Sequence, residues 1–106
     1  MIESCKSKEL LPFDAVLSHP WRALIVQELV SDEDPCSFLD LKRIFGFTDG
    51  NLSSHLRALE KAKFVTIVKQ FVGRKPRTFI ALTSIGIEQF QKYKDWFFEN
   101  FFEGQP

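Results

Sequence analysis

Cysteine is scarce in this chain: only Cys5 and Cys36, far apart and in no CxxC spacing. Such a pair excludes a disulfide framework and, in a reducing compartment, reads as two free thiols. Histidine is as scarce, with His19 and His55 alone, so a metal site would lack its usual ligands and none is expected. No apolar run approaches the about 20 residues that span a bilayer. The opening "MIESCKSKELLPF" lacks the basic-then-apolar layout of a signal peptide. The expectation is a cytoplasmic protein with no membrane partner. Also missing are a phosphate-cradling glycine-rich loop, a Ser-His-Asp constellation and a histidine among clustered carboxylates. Neither an enzyme nor a cofactor is expected.

An excess of charge of either sign is absent too, with 14 basic and 14 acidic residues. Neutrality argues at first against a nucleic-acid partner, but the distribution argues for one. Between Asn51 and Leu82 there are seven Lys or Arg and one acid, Glu60, a net +6; the rest carries seven basic and thirteen acidic residues, a net −6. Because potential is local at ordinary screening lengths, this makes a basic face on a neutral body.

What is present reads as one domain of 106 residues, 44% apolar, enough for a small core. A short helix is expected near Phe13 to Leu17. A longer one follows from about Pro20 to Val30, with Pro at its first turn, His19 helping to open it, and Trp21, Leu24, Ile25 and Leu29 as its apolar stripe. "SDEDP" ends it as an acidic turn, and Cys36 to Phe38 fit a short strand. Phe38, Leu41, Ile44 and Phe45 then predict a helix over about 39–45, which Gly46 closes in a left-handed cap. Leu39 precedes this helix as a poor cap, leaving Asp40 to serve at the first turn.

Thr48 is a good N-cap for the next helix, over about 49–62, with Leu52, Leu56 and Leu59 inward. Only Gly46, Phe47 and Thr48 separate the two, a helix-turn-helix over about 39–62. A hairpin follows over about 64–82: Val65, Ile67 and Lys69 share one face, "VGRKP" is the turn, and "RTFIAL" returns. Arg74, Lys75 and Arg77 crowd its tip, with Pro76 as a stiffener. Thr83 caps a last helix over about 84–102. The fold class is mainly α with a small β-hairpin (α+β), in the winged-helix order.

At about 100° per residue, the outward arc of the second helix of the pair holds Gly50, Asn51, Ser54, Arg57, Ala58 and Lys61, with Ser53 at its edge. Small side chains on the first turns allow close approach to base edges, where Asn pairs with adenine and Ser with several acceptors. Arg57 and Lys61 reach phosphates or a guanine. Taken alone the arc also fits an ordinary solvated face; the cationic hairpin beside it favours DNA. His55, between core and arc, fits a packed structural residue or a DNA contact better than a metal ligand.

Residues 90–102 hold seven aromatics. Ile87, Phe90, Lys94, Phe97 and Phe101 form one line, while Trp96, Phe98 and Phe102 fall outside it. Patches of this size mark interfaces. The expected dimer surface comprises Phe13, Phe90, Tyr93, Trp96, Phe97, Phe98, Phe101 and Phe102. The other reading has "LLPFDAVL" cover the aromatics within one chain.

"TDGNLSSHLRALE", "FVGRKPRT" and "LTSIG", in this order and spacing, resemble the small single-domain winged-helix transcriptional regulators related to the MarR and ArsR superfamilies. The likeness runs from Trp21 to Phe98; Leu39 departs from the family's Ser or Thr. It implies a homodimer on a palindromic double-stranded DNA operator, the recognition helix in the major groove and the wing on the backbone or minor groove. The implied DNA-binding set is Thr48, Gly50, Asn51, Ser53, Ser54, Arg57, Lys61, Arg74, Lys75 and Arg77. Two other readings stand: a winged-helix protein-interaction module without DNA binding, and a regulator answering to an unspecified small effector or to oxidation of Cys5 or Cys36.

Overall fold

The computed structural model describes residues 11–32 and 34–103; Cys5, Leu10 and Glu33 lie outside them. A short 3-10 turn, Ala15–Ser18, opens the description. Four helices follow, α1 (Pro20–Ser31), α2 (Phe38–Phe45), α3 (Asp49–Lys61) and α4 (Ser84–Phe98), the last running on into a π-helical turn, Glu99–Glu103. Three strands, β1 (Cys36–Ser37), β2 (Val65–Val72) and β3 (Lys75–Leu82), form an antiparallel sheet in the order β1-β3-β2. This is the expected α+β winged-helix order.

Side-chain caps explain most of the helix starts. Asn51 N–H donates to Thr48 Oγ1 at 3.1 Å, as the sequence predicts. Gly86 N–H donates to Thr83 Oγ1 at 3.0 Å in the same way. Gly46, at φ +70°, closes α2 with its N–H on the Lys42 carbonyl. The expectation at Leu39 is corrected: α2 begins one residue earlier, at Phe38, and Ser37 caps it by accepting from Asp40 N–H at 3.0 Å. The good cap was two residues upstream, where β1 runs straight into the helix.

The stripe expected on α1 is also corrected. Ala23, Ile25, Val26 and Leu29 are buried, while Trp21 and Leu24 are exposed. This helix is apolar around most of its circumference, so spacing alone selects no face. Trp21 instead joins Phe45 and Phe47 in an aromatic cluster over the α1–α2–α3 corner.

Leu52, Leu56 and Leu59 are buried, each contributing roughly 1.5–3 kcal/mol of apolar burial, and they seat α3 on the core. Leu17, Leu41, Phe64, Val65 and Ile80 complete that core from the other elements. Lys63 leaves α3 at φ +69°, where glycine is the usual residue. Its N–H donates to Glu60 O and the Phe64 N–H to Leu59 O, both at 2.9 Å, so the left-handed turn is fully bonded. Among the described residues, no helix is long and apolar enough to cross a membrane.

Candidate nucleic-acid interface

Gly50, Asn51, Ser54, Arg57 and Lys61 are all exposed on α3, opposite its leucine stripe, and Ser53 is half-buried at the edge. Thr48 is exposed as well, but its hydroxyl oxygen is committed to the cap. A Cβ at Gly50 would meet nothing within 4 Å, so no neighbour in the fold demands a glycine there. At the head of the helix, Asp49 makes a 2.7 Å ion pair with Lys42 of α2. That pair answers the carboxylate at the head of the polar arc, while Glu60 lines the groove beside Arg57 further along; Lys42 was not picked out from the sequence.

The hairpin differs from expectation in two ways. Its turn is only Gly73-Arg74, with Gly73 at φ +68°, because Val72 pairs with Lys75 and Phe71 with Pro76. Pro76 is therefore a strand residue. It is tolerated there because β1 pairs only with Ile80 and Phe79 and leaves this end of β3 without a second neighbour.

The second difference concerns the three tip cations, which do not form one patch. Successive strand residues face opposite ways and cross-strand partners share a face. Val65, Ile67, Lys69 and Phe71 thus lie on the core and α3 side with Leu82, Ile80, Thr78 and Pro76. Lys75 and Arg77, paired with Val72 and Gln70, lie on the far side, and Arg74 stands at the turn. Lys69 is the missed residue. With Ser53, Arg57 and Thr78 it lines a groove of about 750 Å³ between α3 and the hairpin. Alternation already put Lys69 on one face with Val65 and Ile67; that this face turns to α3, which brings Lys69 into the candidate DNA-binding set, is what the strand alone did not give.

His55 turns to the body of the protein. Its Nδ1 accepts from Arg22 Nε at 3.3 Å, and its ring sits 4.7 Å from that of His19 and 5.5 Å from that of Phe47. Burial, then His19 and Arg22, hold its pKa below the ordinary histidine value. His19 occupies the N-cap position of α1 but makes no side-chain cap bond. Among the described residues, no group of three or more His, Cys, Asp or Glu is placed to hold a metal. Cys36 is buried, its Sγ 3.6 Å from Asp32 Oδ2. Burial first, then Asp32, Glu28 and Asp40, push its thiol up to about 11, which is contrary to a reactive thiolate.

The aromatic tail divides. Phe13 and Phe90 are buried within the single chain, so they support α4 and present no surface. Tyr93 and Trp96 meet Phe13 edge-on at 5.0 and 5.4 Å. The Asp14 N–H donates to Gln89 Oε1 at 2.7 Å, tying the same segment to α4. Trp96 is thus half-covered from within the chain. Phe97, Phe98, Phe101 and Phe102 stay exposed and meet in tilted pairs, Phe97 with Phe101 at 4.5 Å and Phe98 with Phe102 at 5.4 Å. An apolar groove of about 510 Å³ between α1 and α4 ends at Phe97 and Phe98.

Comparison with known proteins agrees with this geometry. The model of the winged helix DNA-binding domain matches residues 22–100. A transcriptional regulator homologue from Pyrococcus horikoshii OT3 is 28% identical, with a TM-score of 0.70 over 77% of this chain and 80% of that one. A MepR mutant from a multidrug-resistant S. aureus clinical isolate is 22% identical, with a TM-score of 0.69 over 93% and 75%, and shares the fold. An uncharacterized protein of Methanocaldococcus jannaschii is 38% identical over 58 residues, which are 55% of this chain and 63% of that protein. The chain thus matches less than two thirds of that relative's length. The likeness to winged-helix transcriptional regulators expected from the three motifs is borne out.

Proposed function

The chain belongs to the winged helix DNA-binding domain family, and from that premise we propose that it is a homodimeric, sequence-specific regulator of transcription. The observation that carries this reading is Gly50. It sits in the first turn of α3, in open space, where most other residues would favour the helix more. A glycine that the fold does not need is explained by a surface that comes close to the backbone, and a base edge in the major groove is such a surface. Asn51 and Ser54 beside it supply hydrogen-bonding groups to read bases; Arg57 and Lys61 behind it supply charge. On the wing, Lys69 faces α3 and Arg74 stands at the tip, both suited to phosphates.

The four exposed phenylalanines support a two-fold partner. Two copies joined through Phe97, Phe98, Phe101 and Phe102 would set two recognition helices about 34 Å apart, one turn of DNA, on a palindromic site. The apolar groove between α1 and α4 adjoins the same surface.

Fluorescence anisotropy on the upstream region of its own gene, at two salt concentrations, tests the DNA reading. Binding that weakens steeply with salt is the expected result; no binding to any duplex at low salt overturns it. Sedimentation tests the dimer: Phe98→Ser with Phe102→Ser should convert a dimer to a monomer. A wild-type chain that is already monomeric removes the paired geometry.

A further inference from the structure

Phe71 is the most exposed large apolar side chain among the described residues, at 73%. It stands opposite Pro76, one pair from the end of the ladder, on the α3-facing side that it shares with Lys69. At about 3.4 Å per residue it lies about 14 Å beyond Ile67, the last half-buried residue of that face of β2. No contact with the core holds it there. From 69 to 77 the sequence reads "KQFVGRKPR", four cations and no acid. An apolar ring that shares its face with Lys69 and adjoins the turn that carries Arg74, with no carboxylate near it in sequence, suits a polyanion that also offers apolar faces.

We propose that Phe71 is an apolar wedge that enters the minor groove of the bound duplex and partly unstacks one base step. This rests on the DNA-binding reading above. The minor groove of B-DNA is about 6 Å wide, too narrow for a two-stranded ribbon whose strands alone lie about 4.8 Å apart, so only side chains from the tip can enter it. Arg74, at the turn, is drawn by the negative potential of the groove. Phe71, one pair back and on the α3 side, meets the step next to the half-site that α3 reads. Pro76 opposite it limits the backbone freedom of the tip, which helps a wedge hold against stacked bases. Insertion of apolar side chains between base steps is a general route to a kinked duplex.

The test uses the full chain and a duplex that the wild-type protein recovers from a random-sequence pool. Permanganate oxidation reads unstacked thymines, and anisotropy reads affinity. Wild-type protein at saturation should make thymines hyperreactive just outside the recognition half-site. Phe71→Ala should abolish that reactivity and bind about tenfold more weakly, the scale of one lost aromatic–base contact, with an unchanged melting temperature. Arg74→Ala should weaken binding but keep the hyperreactive thymines at saturation. A wild-type complex with no hyperreactive thymine, or a Phe71→Ala complex that keeps it, overturns the wedge while leaving DNA binding intact. If the wild-type chain recovers no duplex, the wedge and the DNA reading fall together.

Discussion

A Cβ placed on Gly86 would lie 2.5 Å from the carbonyl oxygen of Phe64 and 2.8 Å from Leu82 Cδ1. The same Phe64 carbonyl accepts the Thr83 N–H at 2.9 Å, and Thr83 Oγ1 lies 3.0 Å from it and 2.7 Å from the Lys63 carbonyl. "LTSIG" is therefore a structural motif. Its threonine caps α4 and stitches it to the end of α3, and its glycine allows the close approach. Gly86→Ala should destabilise the protein by about 2–3 kcal/mol, since backbone cannot yield as a flexible side chain would. Urea unfolding measures it, and a neutral result would refute the close contact.

Lys63 holds a left-handed conformation that glycine adopts freely. Lys63→Gly should stabilise the fold by about 1 kcal/mol, with the α3 terminus otherwise unchanged. A thermal melt beside wild type reads this directly.

Gly50→Ala should move stability and function in opposite directions. Nothing lies within 4 Å of the added methyl, so α3 gains up to about 1 kcal/mol of helix propensity. Affinity for the cognate duplex should fall, because the methyl stands between backbone and bases. Equal or better binding by this variant would refute the role given to Gly50.

Phosphate and base contacts should separate by salt and by sequence. Lys69→Ala and Arg74→Ala should each weaken binding to cognate and random duplexes alike and reduce the salt slope by about 1. Asn51→Ala should alter the preferred sequence instead. A loss that is equal on cognate and random DNA would refute the assignment of Asn51.

His55 should make the fold acid-sensitive. Its folded pKa is depressed, chiefly by burial, so the unfolded chain binds the proton more readily. Its contribution is complete above the unfolded value of about 6.5 and is lost as pH falls through that value toward the folded one. Unfolding curves between about pH 7 and 5 should lose more stability in wild type than in His55→Gln. Identical slopes would refute it.

Much of the frame was legible because its signals are local. Thr48 and Thr83 announce helix starts, Gly46 a stop, and the Leu52–Leu56–Leu59 spacing a buried face. What escaped depended on distant partners or on ambiguous patterns. Spacing along α4 could not choose between the two readings of its aromatics, and it is the contact of Phe13 with Trp96 that favours partial cover within the chain. The buried face of α1 was undecidable from its own residues. Pro76 read as a turn breaker because the hairpin was expected to need a long loop, whereas Gly73 permits a two-residue turn. The outward arc of α3 was recovered nearly whole, since a helix seated by three leucines can turn only one face to solvent. The tip cations were not, because charge counting ignores the alternation that sends Lys75 and Arg77 to the far side.

The stitch at Phe64, Thr83 and Gly86 makes one welded corner of the foot of α3 and the head of α4. The molecule is then a pair of dividers with a stiff arm. The 15 residues of α4 are about 22 Å long, so in the proposed dimer a tilt of about 10° at its aromatic end would displace the corner by about 4 Å. The bonds from Thr83 to the Lys63 and Phe64 carbonyls would carry that displacement to the recognition helix. In the proposed dimer, small changes at the far aromatic end would thereby be read out as a change in span along the DNA.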